Sequence, residues 1–218
     1  MRYRRRAAIG IAAGLAAFAA TVALALTRTG GTGSAPLTLA AASTLGPEGV
    51  AVPKGPSLGR ARPVATGRRI DGIFCQAHEQ VLFHIHAHLT IFVRGAARRV
   101  PAGIGIGKPA RVVETPRGAF VAGGACFMWL HTHAADGIIH TESPVERTYT
   151  LGEFFDIWGQ PLSRNQTGPV RGHVTALVNG RVFTGNPRDI PLFAHSQIQV
   201  EVGRPLVAPA AITFPDGL

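Results

Sequence analysis

The chain is poor in what many functional classes depend on. It has two cysteines, Cys75 and Cys126, so at most one disulfide can form. Joined, they would close a loop of about 50 residues, a framework that suits an oxidising compartment. No internal repeat is visible, which excludes solenoids and propellers. Negative charge is scarce: 12 acidic residues stand against 22 basic ones, and all of the acids lie downstream of residue 26. The formal charge of +10 nevertheless misdescribes the domain, because Arg2, Arg4, Arg5, Arg6 and Arg28 flank one apolar run and account for five of the ten charges. No basic or aromatic nucleic-acid recognition motif is present. Nucleic acid is therefore not an expected partner.

Only one long apolar stretch exists, Ala7 to Leu26, and it contains no charge. Twenty such residues are enough to cross a bilayer as a helix. The arginines before it orient the N-terminus toward the cytoplasm and everything after Leu26 outward. Ala23-Leu24-Ala25 also offers a small-x-small cleavage site, so a removed signal peptide is the alternative to an anchor. The expected organisation is a basic tail at 1–6, an anchor or signal segment at 7–26, and a Pro/Gly-rich linker at 27–70. A domain at 71–203 and a tail at 204–218 follow.

Within the domain, strand patterns outnumber helical ones. Val81 to Val93, Gly124 to His133, "IIHTE" and "SQIQVEV" read as strands. "HVTALVNGRVF" reads as a hairpin with Asn179-Gly180 in its turn, and Arg94-Gly95 marks another. One helix is expected at "LGEFFDIWG", capped by Thr150 with Glu153 closing a capping box and Gly159 ending it. The fold class is mainly β (α+β): an antiparallel sandwich or barrel-like domain with one or two short helices, preceded by an N-terminal transmembrane helix.

What the chain has in unusual measure is histidine at strand spacing. "LFHIHAHLTIFV" sets His84, His86 and His88 on one face, with Phe83, Ile85, Ala87 and Leu89 on the other. "CFMWLHTHAADGIIHTE" adds His131, His133 and His140. Imidazoles at i and i+2 of a strand can converge on one point above the sheet. His84 and His88 lie roughly 13 Å apart along an ideal strand, so one ion takes two neighbours of the triplet at most. The expected core is His86, His88, His131 and His133, with His84 and His140 next; two neighbouring ions, one per cluster, are the other arrangement. Cys126 and Met128 fall on the face opposite His131 and His133, which favours a Cys75–Cys126 disulfide over a thiolate ligand.

The carboxylates near these motifs are Glu79, Asp136 and Glu142. Asp136 reads as turn chemistry in "AADG". Glu142, two residues beyond His140 on the same face, is the candidate to orient a ligand or to act as an acid/base on metal-bound water. His78 is a secondary candidate, while His173 and His195 are isolated.

"HIHAHLTIFVRG", "CFMWLHTHAADGIIHTESP" and "YTLGEFFDIWGQPLS" together resemble a family of exported or membrane-anchored bacterial and archaeal proteins for which no activity is assigned. The similarity runs from about Ile73 to Val202. It implies that His84, His86, His88, His131, His133, His140 and Glu142 form one site. In that family Asp often follows the second histidine of HTH, where this chain has Ala134.

The expected function is an extracytoplasmic, membrane-tethered domain that binds a transition metal, copper or zinc first, iron or nickel next. A metal-dependent hydrolase or oxidoreductase, with Glu142 as acid/base, is the alternative. A β-rich interaction module without metal is the third.

Overall fold

The computed structural model describes residues 44–218. The expected basic tail, anchor segment and first part of the linker lie outside the described residues. Among the described residues, no helix is long and apolar enough to cross a membrane.

A seven-stranded mixed sheet organises the domain. Its strands in chain order are β1 (Phe83–Val93), β2 (Ala96–Arg98), β3 (Leu130–His131), β4 (Ile138–Ser143), β5 (Val174–Val178), β6 (Arg181–Phe183) and β7 (Gln197–Val202). Across the sheet the order is β6-β5-β7-β1-β4-β3, and β2 pairs with the far end of β1. All neighbours are antiparallel except β7 and β1, which run parallel from Gln197↔His88 to Val202↔Val93. The expected all-antiparallel pattern fails at that one pairing, where the last strand enters beside the first. None of the sheets closes into a barrel.

The period-two pattern of β1 separates its two faces as expected. Ala87, Leu89, Ile91 and Val93 are buried in the core, together with Phe154, Phe155, Ile157 and Trp158 of the helix α1 (Leu151–Trp158). That helix begins at Thr150, whose hydroxyl accepts from the Glu153 N–H while the Glu153 carboxylate accepts from the Thr150 N–H. It ends on Gly159 at φ 78°. The hairpin turns hold Arg94 and Asn179 at φ 50°, each followed by a glycine with positive φ.

Two expectations are corrected. Gly124 to His133 is not one strand: only Phe127–Met128 and Leu130–His131 pair, each for two residues. Residues 44–70, read as tether, pack onto the domain. Val50, Leu58, Val64 and Ile70 are all buried, and the last three belong to the core cluster. Their Pro/Gly content hides apolar residues too widely spaced to show a period. The tail at 204–218 is likewise strapped down: the side-chain oxygens of Gln197, Gln199 and Glu201 on β7 accept from the N–H groups of Ile212, Ala210 and Val207.

Cys75 and Cys126 are joined, tying the short strand Ile73–Gln76 to the segment that carries His131. The bridge spans 51 residues of chain, and cross-linking that loop restricts the unfolded ensemble by about 4 kcal/mol. A Cys75→Ser/Cys126→Ser variant is therefore expected to lose about that much stability in urea unfolding at neutral pH. A loss below about 1 kcal/mol would show that the reduced chain is already restricted by other means.

Candidate metal centre

The site begins with a register. β1 and β4 pair antiparallel with His86 opposite His140, His84 opposite Glu142 and His88 opposite Ile138. β3 continues the same face, placing His131 opposite His140. His133 follows in the loop back to β4. Gly137 closes that loop at φ +95°, where a Cβ would stand 2.4 Å from the Leu89 carbonyl oxygen.

Six side chains converge on this face. Two overlapping groups have ligand atoms all within 4.8 Å of one another: His84, His86, His140 and Glu142; and His131, His133, His140 and Glu142. The Nε2 atoms of His131 and His133 are 3.1 Å apart, and those of His84 and His86 are 3.2 Å apart. His86 Nε2 lies 3.1 Å from His140 Nδ1. Glu142 Oε1 stands 3.3 Å from His84 Nε2, 3.4 Å from His140 Nδ1 and 3.9 Å from His131 Nε2. A tetrahedral ion with bonds of 2.0–2.1 Å has donors roughly 3.3 Å apart, so these spacings need little adjustment to accept one.

The far side of three imidazoles is tied down. His131 Nδ1–H donates to the Met128 carbonyl at 2.9 Å, and His133 Nδ1–H donates to the Val121 carbonyl at 2.6 Å. His140 Nε2–H donates to Glu48 Oε1 at 2.6 Å. In each case the remaining nitrogen faces the cluster. Hydrogen bonds of this kind fix the tautomer and ring orientation of metal-binding histidines. Phe120 stacks on the His133 ring at 4.8 Å and limits its rotation further.

His88 is the correction among the expected core residues. Its Nε2–H donates to the Asp136 carbonyl at 2.9 Å, and it belongs to neither group. The reach limit along β1 holds, but the neighbouring pair at the site is His84 and His86, because the register sets Glu142 and His140 opposite them and the apolar Ile138 opposite His88. His78, His173 and His195 also lie outside both groups. Glu79 borders the site, with Oε1 3.6 Å from His133 Nε2 and 3.9 Å from His131 Nε2.

Sequence reasoning missed Glu48. Its one signal was to be the only acid between residues 27 and 70, beside a glycine in "GPEG".

Charge in the site is unevenly distributed. Burial opposes protonation of His140, but hydrogen bonds to Glu142 and Glu48 prevail and raise it to about 9. Burial also works against the Glu142 carboxylate, yet its hydrogen bond to His140 and the neighbouring imidazoles hold it at about 2. Burial, then the Glu48 carboxylate beside it, push Asp136 up to about 7. Glu48 Oε2, Asp136 Oδ2 and Glu142 Oε2 are buried without a hydrogen-bond partner.

Comparison of the chain with protein-family models, curated proteins and solved structures finds no match.

The pH dependence of stability follows from these groups. Burial lowers His86, His88, His131 and His133 below the ordinary 6.5, His86 to about 3, so below pH 6.5 the unfolded chain takes up protons that the fold refuses. Asp136, Glu79 and, outside the site, Asp71 are raised and act in the opposite sense, but they are three groups against four. Glu142 adds stability that is present above 4.5 and lost as pH falls through about 2. The contribution of His140 is full below 6.5 and disappears as pH rises through about 9. Chelator-treated protein should thus show its highest urea midpoint near neutral pH, falling steeply toward pH 4.5 and more gently toward pH 9. A midpoint that rises on acidification would contradict the buried, neutral state of these histidines.

Proposed function

We propose that this chain holds a transition-metal ion outside the cytoplasm, on a domain tethered by residues 7–26. The ion sits on His131 Nε2, His133 Nε2, His140 Nδ1 and Glu142. One observation carries the reading: all three imidazoles spend their outward N–H on a fixed acceptor, so that their other ring nitrogens and a carboxylate face one point. Buried histidines that served packing alone would have no reason to share that orientation.

Three nitrogens and one oxygen suit zinc, and they also suit copper(II). The four residues are buried, His131 fully and the others to within 6% exposure. A shielded set of this kind favours holding and passing on a metal ion over turning over a large substrate. The role is therefore metal handling at the cell surface. The export reading draws support from the disulfide, which persists in oxidising compartments, and from the charge asymmetry around residues 7–26.

Chain purified without a histidine tag should contain zinc or copper by elemental analysis. The His131→Ala/His133→Ala variant should lose its tightest-bound ion. Full retention in that variant would reject the site. Glu48→Gln removes the acceptor charge behind His140 and is expected to weaken affinity about 10–100-fold while leaving the ligands in place. In spheroplasts, added protease should digest the domain while a cytoplasmic control survives; protection of the domain would overturn the localisation.

A further inference from the structure

We propose that the cluster takes two ions, the second on His84 Nε2 and His86 Nε2, joined to the first through the Glu142 carboxylate. The inference rests on the metal-binding reading above and extends it from one ion to a bridged pair.

The argument is one of valence. Both groups of potential ligands include His140 and Glu142. The cluster-facing nitrogen of His140 is Nδ1, since Nε2–H is committed to Glu48, and Nδ1 has a single lone pair. Two ions therefore cannot both take His140, and a second ion would have to rely on His84, His86 and Glu142. When His131, His133 and His140 bind the first ion, His86 Nε2 loses the only neighbour besides His84 within 3.2 Å among the described residues, because His140 Nδ1 has been its partner at 3.1 Å. That leaves two imidazole nitrogens 3.2 Å apart, with Glu142 Oε1 3.3 Å from one of them. This is a three-donor set with the edge lengths of a coordination polyhedron.

Glu142 can serve both ions, which His140 cannot. It is 5% exposed, its Oε1 faces the histidines of both groups, and its Oε2 is buried without a partner. A carboxylate with a free second oxygen is the usual bridge between ions about 3.5–4 Å apart. Acidic side chains also line the cluster: Glu142 lies within it, Glu48 Oε1 is 2.6 Å from His140 Nε2 and Glu79 Oε1 is 3.6 Å from His133 Nε2. The two positions differ in access. His131 is fully buried, whereas the His84 side chain is 40% exposed, so the second ion faces solvent and keeps room for water or a small oxygen ligand.

The full chain, untagged and stripped with chelator, is titrated separately with zinc(II) and copper(II). Two equivalents per chain are expected, falling to one in a His84→Ala/His86→Ala variant. Copper-loaded wild type should give a spin-coupled paramagnetic resonance spectrum, and the variant the spectrum of an isolated copper(II) ion. A single equivalent in wild type, lost on His131→Ala/His133→Ala, would overturn the second ion and leave the metal-binding reading standing. No bound metal would overturn both. Two equivalents retained by His84→Ala/His86→Ala, or two uncoupled coppers in wild type, would overturn the placement or the bridge. Wild-type stoichiometry decides the matter even if a variant fails to fold.

Discussion

The pairing of β1 with β4 is the constraint on which the rest depends. Its register sets His86 against His140 and His84 against Glu142, so four polar side chains share one face. Strand geometry alternates faces with period two, so a slip of one residue in β1 would turn His84 and His86 into the core and expose Ile85 and Ala87 instead. The register is held at both ends. The parallel contact with β7 locks the far half of β1, and the tight turn at Gly137 fixes where β4 begins. The apolar face of β1 packs on α1 and the disulfide-linked segment. The site is therefore as rigid as the core beneath it.

Rigidity matters because the cluster gathers groups that repel one another when charged. Four histidines are held neutral by burial, and one, His140, is held protonated between two carboxylates. The outward hydrogen bonds of His131 and His133 go to main-chain carbonyls, which do not titrate. That of His140 goes to a side-chain oxygen of Glu48. His140 is thus the one of these three histidines whose outward partner is a side chain. It is also the one that links the two halves of the cluster.

Much of this was legible before any coordinates. The alternation in "FHIHAHL", the capping box at Thr150 and the Asn-Gly turn each encode local geometry, and local geometry survives into the fold. The opposite parity of Cys126 and His131 foretold the disulfide correctly, although that segment is broken into two short strands. What was not legible is which residue of the partner strand faces each histidine of the His84–His88 run. That depends on a long-range register, and it moved the neighbouring pair from His86 and His88 to His84 and His86. Glu48 was invisible for a similar reason. It lies 92 residues from His140 in a segment whose composition resembles a tether, and nothing local announces the contact.

The energetic character of the site bears on why it exists. Buried ion pairs cost desolvation that their attraction seldom repays in full, and apolar residues of the same volume often give a more stable core. Here Glu142 and Glu48 are buried beside His140, Asp136 is buried near Glu48, and each keeps a carboxylate oxygen without a partner. A domain selected for stability alone would replace them. Their retention follows if the cluster's stable state includes cations. Divalent charge then satisfies the orphaned oxygens, and the binding free energy offsets the desolvation already incurred in folding. On this argument the desolvation cost of the bare site is what a bound cation would offset, and Glu142, whose Oε1 lies within 3.9 Å of His84, His131 and His140, is where the two meet.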